Sequence, residues 1–156
     1  MKKLIFIIPF IFISCNENDI TSIVIKNDRL SEINLFNGEY IVHFMDKEDS
    51  KFKFIVKEAE ILQIKKSYVS ENILSYGKEI LVMDNAPLIM PAYDTEYIIN
   101  FEDGSKQTIL IRTDFRKNPL NSKEYKKLKV FIEKIDKIIN SKKEIQDAPK
   151  SNVFSI

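Results

Sequence analysis

The chain has no tryptophan, and His43 and Cys15 are its only histidine and cysteine in 156 residues. A lone cysteine excludes a disulfide framework within the chain. A lone histidine leaves zinc without companion ligands, and a serine or cysteine triad would have no base except His43. No serine sits in a G-x-S-x-G setting. The three glycines, Gly38, Gly77 and Gly104, lie too far apart to form a phosphate-cradling loop. The longest apolar run covers 4–13, well short of the roughly 20 residues that span a bilayer. Charge of one sign is missing too: 24 basic residues stand against 23 acidic ones, so no global field draws the chain to nucleic acid. No cofactor is implied.

What is present is concentrated at the start. Lys2 and Lys3 precede the apolar stretch, Pro9 interrupts it, and Ser14-Cys15 closes it before Asn16, Glu17, Asn18 and Asp19 turn the chain polar. This order reads as a removable leader. Ordinary signal peptidase, cutting before Cys15, would meet bulky Phe12 where it prefers a small residue. The segment instead resembles a bacterial lipoprotein leader, with Ser14 and Cys15 matching the small residue and cysteine that end its pattern. That resemblance implies a mature chain beginning at Cys15 and carrying a diacylglyceryl thioether. It would be lipid-anchored to a membrane of the cell envelope and face outside the cytoplasm, in the periplasm or at the cell surface. Each buried methylene contributes about 0.8 kcal/mol, so two or three acyl chains anchor a protein without a spanning helix. Losing Lys2 and Lys3 with the leader leaves 22 basic against 23 acidic residues, a formal −1.

The rest is of single-domain length. Ile20 to Ile25 reads as a strand. Ile33 and Leu35, then Tyr40, Val42 and Phe44, alternate across Asn37-Gly38, a hairpin dipeptide. Phe52, Phe54 and Val56 continue the alternation after the charged tip at 46–50. Ile61, Leu62, Ile64, Tyr68 and Val69 fall at helical spacing and predict a helix over 57–69. A short strand follows at 79–82. Strands over 93–101 and 106–113 flank a tight turn at Gly104. A stripe of Tyr125, Leu128, Phe131, Ile132, Ile135, Ile138 and Ile139 predicts a helix over 122–141, capped by Asn121 with Glu124 reaching back. The expected fold is α+β, a single antiparallel sheet with two helices packed on one face. Its layout is similar to that of small uncharacterised bacterial lipoprotein domains. The organisation is a leader over 1–14, a lipidated tether over 15–19, one domain over 20–141 and a loose tail over 142–156.

Chemistry-bearing residues are few. His43 in an alternating strand reads as a packed or half-exposed ring, and Asp46, Glu48 and Asp49 lack the glycine and closing glutamate of a calcium loop. Lys123, Lys126, Lys127 and Lys129 could touch anionic headgroups, although their alternation with the apolar stripe suits an ordinary wet helix face. The unusual segment is 84–93, where Leu88, Ile89 and Met90 lie between Pro87 and Pro91 and lead to Tyr93. Exposed, it is a patch for an envelope protein partner; covered, it closes an edge of the sheet. The sequence therefore points to a membrane-anchored binding or assembly module and not to an enzyme. The alternatives are an inhibitor or immunity-type lipoprotein, and an enzyme with a carboxylate or tyrosine site.

Overall fold

Residues 19–83, 87–114 and 118–153 are described by the computed structural model of the chain. The leader, Cys15 and the 84–86 part of the proline-flanked segment lie outside them. β1 (Ile20–Asn27) buries Ile20, Ile23 and Ile25 and forms the middle of the sheet. It pairs antiparallel with β2 (Ser31–Asn34) on one side and β6 (Tyr93–Phe101) on the other. Between Ile20 and Ser22 the register against β6 slips by one residue, a bulge that keeps both isoleucines on the core side.

The Asn37-Gly38 turn delivers β3 (Glu39–Val42), and the acidic tip returns the chain as β4 (Ser50–Lys53) at the sheet's edge. Glycine is required at position 38, where φ is +62° and an added Cβ would lie 2.0 Å from the Phe54 carbonyl oxygen. The chain then crosses the sheet through α1 (Glu58–Ser70) and a 3₁₀ turn (Ile73–Tyr76) to β5 (Glu79–Val82) at the opposite edge. β6 and β7 (Lys106–Thr113) form a hairpin, and α2 (Lys126–Asn140) follows a second 3₁₀ turn (Pro119–Asn121).

The expected α+β architecture is what forms, with strand order β4-β3-β2-β1-β6-β7-β5. One pairing differs from the all-antiparallel expectation, since β5 runs parallel to β7. A helical crossover, unlike a tight hairpin, does not force the next strand to reverse direction. The core lies on one face. Ile23, Ile25, Ile33, Ile99, Ile109 and Val82 point there, and α2 lays Leu128, Phe131, Ile132, Ile135, Ile138 and Ile139 over them. Side chains of the other parity, among them Lys26, Glu32, Glu96 and Ile98, are none of them buried.

Three boundaries differ from the sequence reading. The capping arrangement at Asn121 does not form, because Asn118 caps the preceding 3₁₀ turn and Asn121 instead accepts a hydrogen bond from Lys129. α2 accordingly begins at Lys126. Asp19, assigned to the tether, belongs to the folded body: it pairs with Lys65 at 2.7 Å, and its carbonyl accepts the Glu102 N–H.

The third correction is that the segment from Lys142 is not loose as far as Val153. Lys142 is buried and grips both carboxylate oxygens of Glu60 at 2.9 and 2.7 Å, and α3 (Lys143–Gln146) follows. Ser151 donates to the His43 carbonyl, while Asn152 bridges the Met45 N–H and Asp46. Phe154 to Ile156 lie outside the described residues.

Burial opposes ionisation of Glu60, but the Lys142 ammonium and the Lys57 N–H outweigh it and hold the carboxyl below its ordinary value of 4.5. A depressed native pKa stabilises the fold above that ordinary value, and the contribution disappears as pH falls through the native one. Lys142→Met should therefore cost about 2 kcal/mol at pH 7 in urea unfolding, because it strands a partly buried carboxylate. The gap between the two proteins should narrow below about pH 4, as Glu60 protonates.

Candidate functional site

α1 carries two apolar stripes. Ile64 and Tyr68 turn to the core and are buried. Leu62 and Val69, which the helical spacing assigned to the core, are instead 49% and 51% exposed. They stand seven residues apart with Lys65 and Lys66 between them, so the four share a flank of the helix. The flank faces the β6–β7 hairpin across a cleft of about 1010 Å³. Leu74, Tyr68, Ile20 and Phe101 extend its apolar lining, and Lys78 and Lys106 add to its rim.

A polar buttress holds the cleft's inner wall. The Tyr68 hydroxyl donates to Gln107 Oε1 at 2.9 Å, and the Gln107 amide nitrogen donates to the Ile73 and Gly77 carbonyls. Gln107 is fully buried, so these bonds spare it the cost of an unsatisfied amide. Burial pushes the Tyr68 hydroxyl up to about 12, which keeps it a neutral donor. Tyr68 also packs against Phe101 and edge-on against Phe131, tying α1 to both the hairpin and α2. At the hairpin tip, Asp103 accepts from the N–H and hydroxyl of Ser105, as expected of turn chemistry.

Rim charge is unbalanced. Lys65 is neutralised by Asp19, whereas Lys66, Lys78 and Lys106 make no ion pair among the described residues and are exposed. The cleft therefore couples an apolar floor to a rim with an excess of positive charge, four lysines against Asp19 and Asp103. The clue in the sequence is Leu62, Lys66 and Val69 at i, i+4 and i+7, a stripe that one lysine breaks.

A second concavity of about 340 Å³ lies between the sheet and α2. The Tyr97 hydroxyl donates to Asp136 Oδ1 at 3.2 Å inside it, with Asp114, Thr95 and Thr113 on its walls. Burial, followed by the Asp136 charge, raises the Tyr97 hydroxyl, so it is no ready base. Burial also raises the Asp136 carboxyl above 3.8, although the Tyr97 hydrogen bond opposes this. The pair fits a satisfied packing element.

In the proline-flanked segment, Ile89, Met90 and Tyr93 are exposed at 45%, 64% and 42%, while Leu88 is half-buried. The Ile89 N–H donates to Asp114, pinning the loop beside the smaller pocket. His43 is half-exposed and bonded to Asp49 at 2.8 Å. Among the described residues no group of three or more histidine, cysteine or acidic side chains could hold a metal ion, and no helix is long and apolar enough to cross a membrane. The structure leaves Cys15 outside its described residues. Comparison with family models, curated proteins and solved structures gives no match for this chain.

A carboxyl whose native pKa is raised weakens the fold as pH rises through that value. Asp136→Asn, which keeps an acceptor for Tyr97, should stabilise the protein at pH 7 by on the order of 1 kcal/mol. The gain should vanish below about pH 4 in thermal unfolding scans, where the native carboxyl is already neutral. Loss of stability at pH 7 would mean that the ionised carboxylate is needed.

Proposed function

We propose that the protein is a lipid-anchored recognition module of the cell envelope, held through Cys15 and binding its ligand in the cleft between α1 and the β6–β7 hairpin. The observation that carries this reading is the cleft itself, an apolar-floored concavity with three lysines on its rim that make no ion pair among the described residues. Its size matches the upper end of small-molecule sites, which run from about 300 to 1,000 Å³. In its lining, Tyr68 is held as a neutral donor to Gln107, and Lys65 is paired with Asp19. Binding needs only the apolar surface and charge that are there.

Position supports anchorage too. Asp19 lines the cleft, and only three residues separate it from Cys15, four chain steps that span at most about 14 Å when extended. A lipidated Cys15 would hold the cleft close to the bilayer surface. The exposed Ile89, Met90 and Tyr93 offer a second surface, suited to an envelope protein partner.

Intact mass of the protein recovered from bacterial membranes tests the anchor. The expected chain begins at Cys15 and carries added acyl mass, and Cys15→Ala should move it from the membrane pellet to the soluble fraction or leave it as unprocessed precursor. An unmodified Cys15 in a membrane-retained chain would reject the reading.

A further inference from the structure

The cleft's two chemistries point to one class of ligand. Leu62 and Val69 lie two turns apart, so the apolar stripe on α1 runs for roughly 10 Å along the helix, and Leu74 prolongs it at the 3₁₀ turn. An apolar floor that runs along a helix suits a hydrocarbon chain. Half of the Leu62, Val69 and Leu74 surfaces remain in water when the cleft is empty, so an occupying chain gains the burial that the fold itself leaves undone.

The rim selects the head. Four lysines and two aspartates line the cleft, an excess of two positive charges; Asp19 pairs with Lys65, and Asp103 accepts from Ser105 at the hairpin tip while keeping its charge. Lys66, Lys78 and Lys106 remain as exposed ammonium groups, placed on α1, before β5 and at the start of β7. They surround the apolar floor from three elements, so an anionic head can meet positive charge while its chain lies on the floor. Lysine stems also cover apolar surface, which continues the floor up to the charged heads. A neutral amphiphile would use only the floor, and a small anion only the rim.

We propose that the cleft binds an anionic amphiphile, a single hydrocarbon chain ending in a carboxylate or phosphate, with Leu62, Val69 and Leu74 receiving the chain and Lys66, Lys78 and Lys106 the head. This rests on the reading of the fold as a binding module. Proximity to Cys15 strengthens it, since the bilayer is a reservoir of such molecules, but the cleft chemistry stands without the anchor.

The test uses membranes containing the full chain and a palmitate analogue that carries a photoreactive diazirine. Labelled peptides should map to 58–78 and 101–107. Unlabelled palmitate and hexadecyl phosphate should compete, and hexadecanol should do so at least about tenfold less well. The more effective of the two acids separates a free fatty acid from a lipid phosphate as the source. Reversing the rim with Lys66→Glu, Lys78→Glu and Lys106→Glu should reduce labelling about tenfold or more, as should Leu62→Asn with Val69→Asn. All five positions are exposed, and an unchanged thermal unfolding curve would certify the fold. Equal competition by hexadecanol, or labelling that survives both sets of substitutions, would overturn the proposal. The mass of Cys15 in the same sample keeps the two readings apart: acylation without cleft labelling removes the ligand and keeps the anchor, and cleft labelling on an unmodified Cys15 does the reverse.

Discussion

The structure depends on closing one face of a seven-stranded sheet with a single well-patterned helix. α2 contributes six buried side chains to that face, and full burial of such a side chain is worth about 1.5–3 kcal/mol before the entropy of ordering is set against it. The central strands β1, β6 and β7 bury alternate side chains, mostly isoleucine and aromatic, because only one face of the sheet is covered. The helix and the alternation are therefore two halves of one constraint. Everything else is arranged around its edges.

α1 shows what happens where that closure ends. It meets the sheet through Ile64 and Tyr68 alone among its apolar side chains, and its other aliphatic stripe remains uncovered. Tyr68 compensates for the thin contact by touching Phe101, Phe131 and Gln107 at once, so one ring fixes the helix relative to the hairpin and to α2. The cleft is a consequence of this economy: a helix fixed along one edge leaves its flank free. At the far side of the sheet the problem is an open strand edge, and there Lys51 and Lys53 on β4 discourage further pairing while α3 and the segment to Val153 pack nearby.

Much of the fold could be read from period alone. The β6–β7 hairpin, β5 and the α2 stripe follow the alternation and the helical spacing residue by residue, because strong periodic burial leaves those segments no competing conformation. What escaped the sequence depended on distant partners. The parallel placement of β5, the gripping of Glu60 by Lys142 and the capture of Asn152 by the β3–β4 loop link residues tens of positions apart. The cleft escaped for a related reason. Leu62 and Val69 have the spacing of core residues, and only the position of α1 against the sheet decides that they face outward. The proline-flanked loop was legible as a feature, and its exposure had to come from the structure.

The proposed recognition role rests on the balance of desolvation and charge between the two concavities. A catalytic carboxyl or tyrosine needs a substrate to reach it and a partner that shifts its proton at the right moment. Tyr97 and Asp136 already satisfy each other inside a pocket about a third the size of the cleft, and Tyr97 is almost fully buried. The larger cleft has the opposite character, with apolar surface left wet and three ammonium groups that make no ion pair among the described residues. Both deficits are relieved by a ligand that brings hydrocarbon and negative charge together, and neither requires bond-making. With Cys15 as an anchor, a tether of three residues would also confine the cleft to the layer where such ligands concentrate, so that modest affinity would suffice for occupancy.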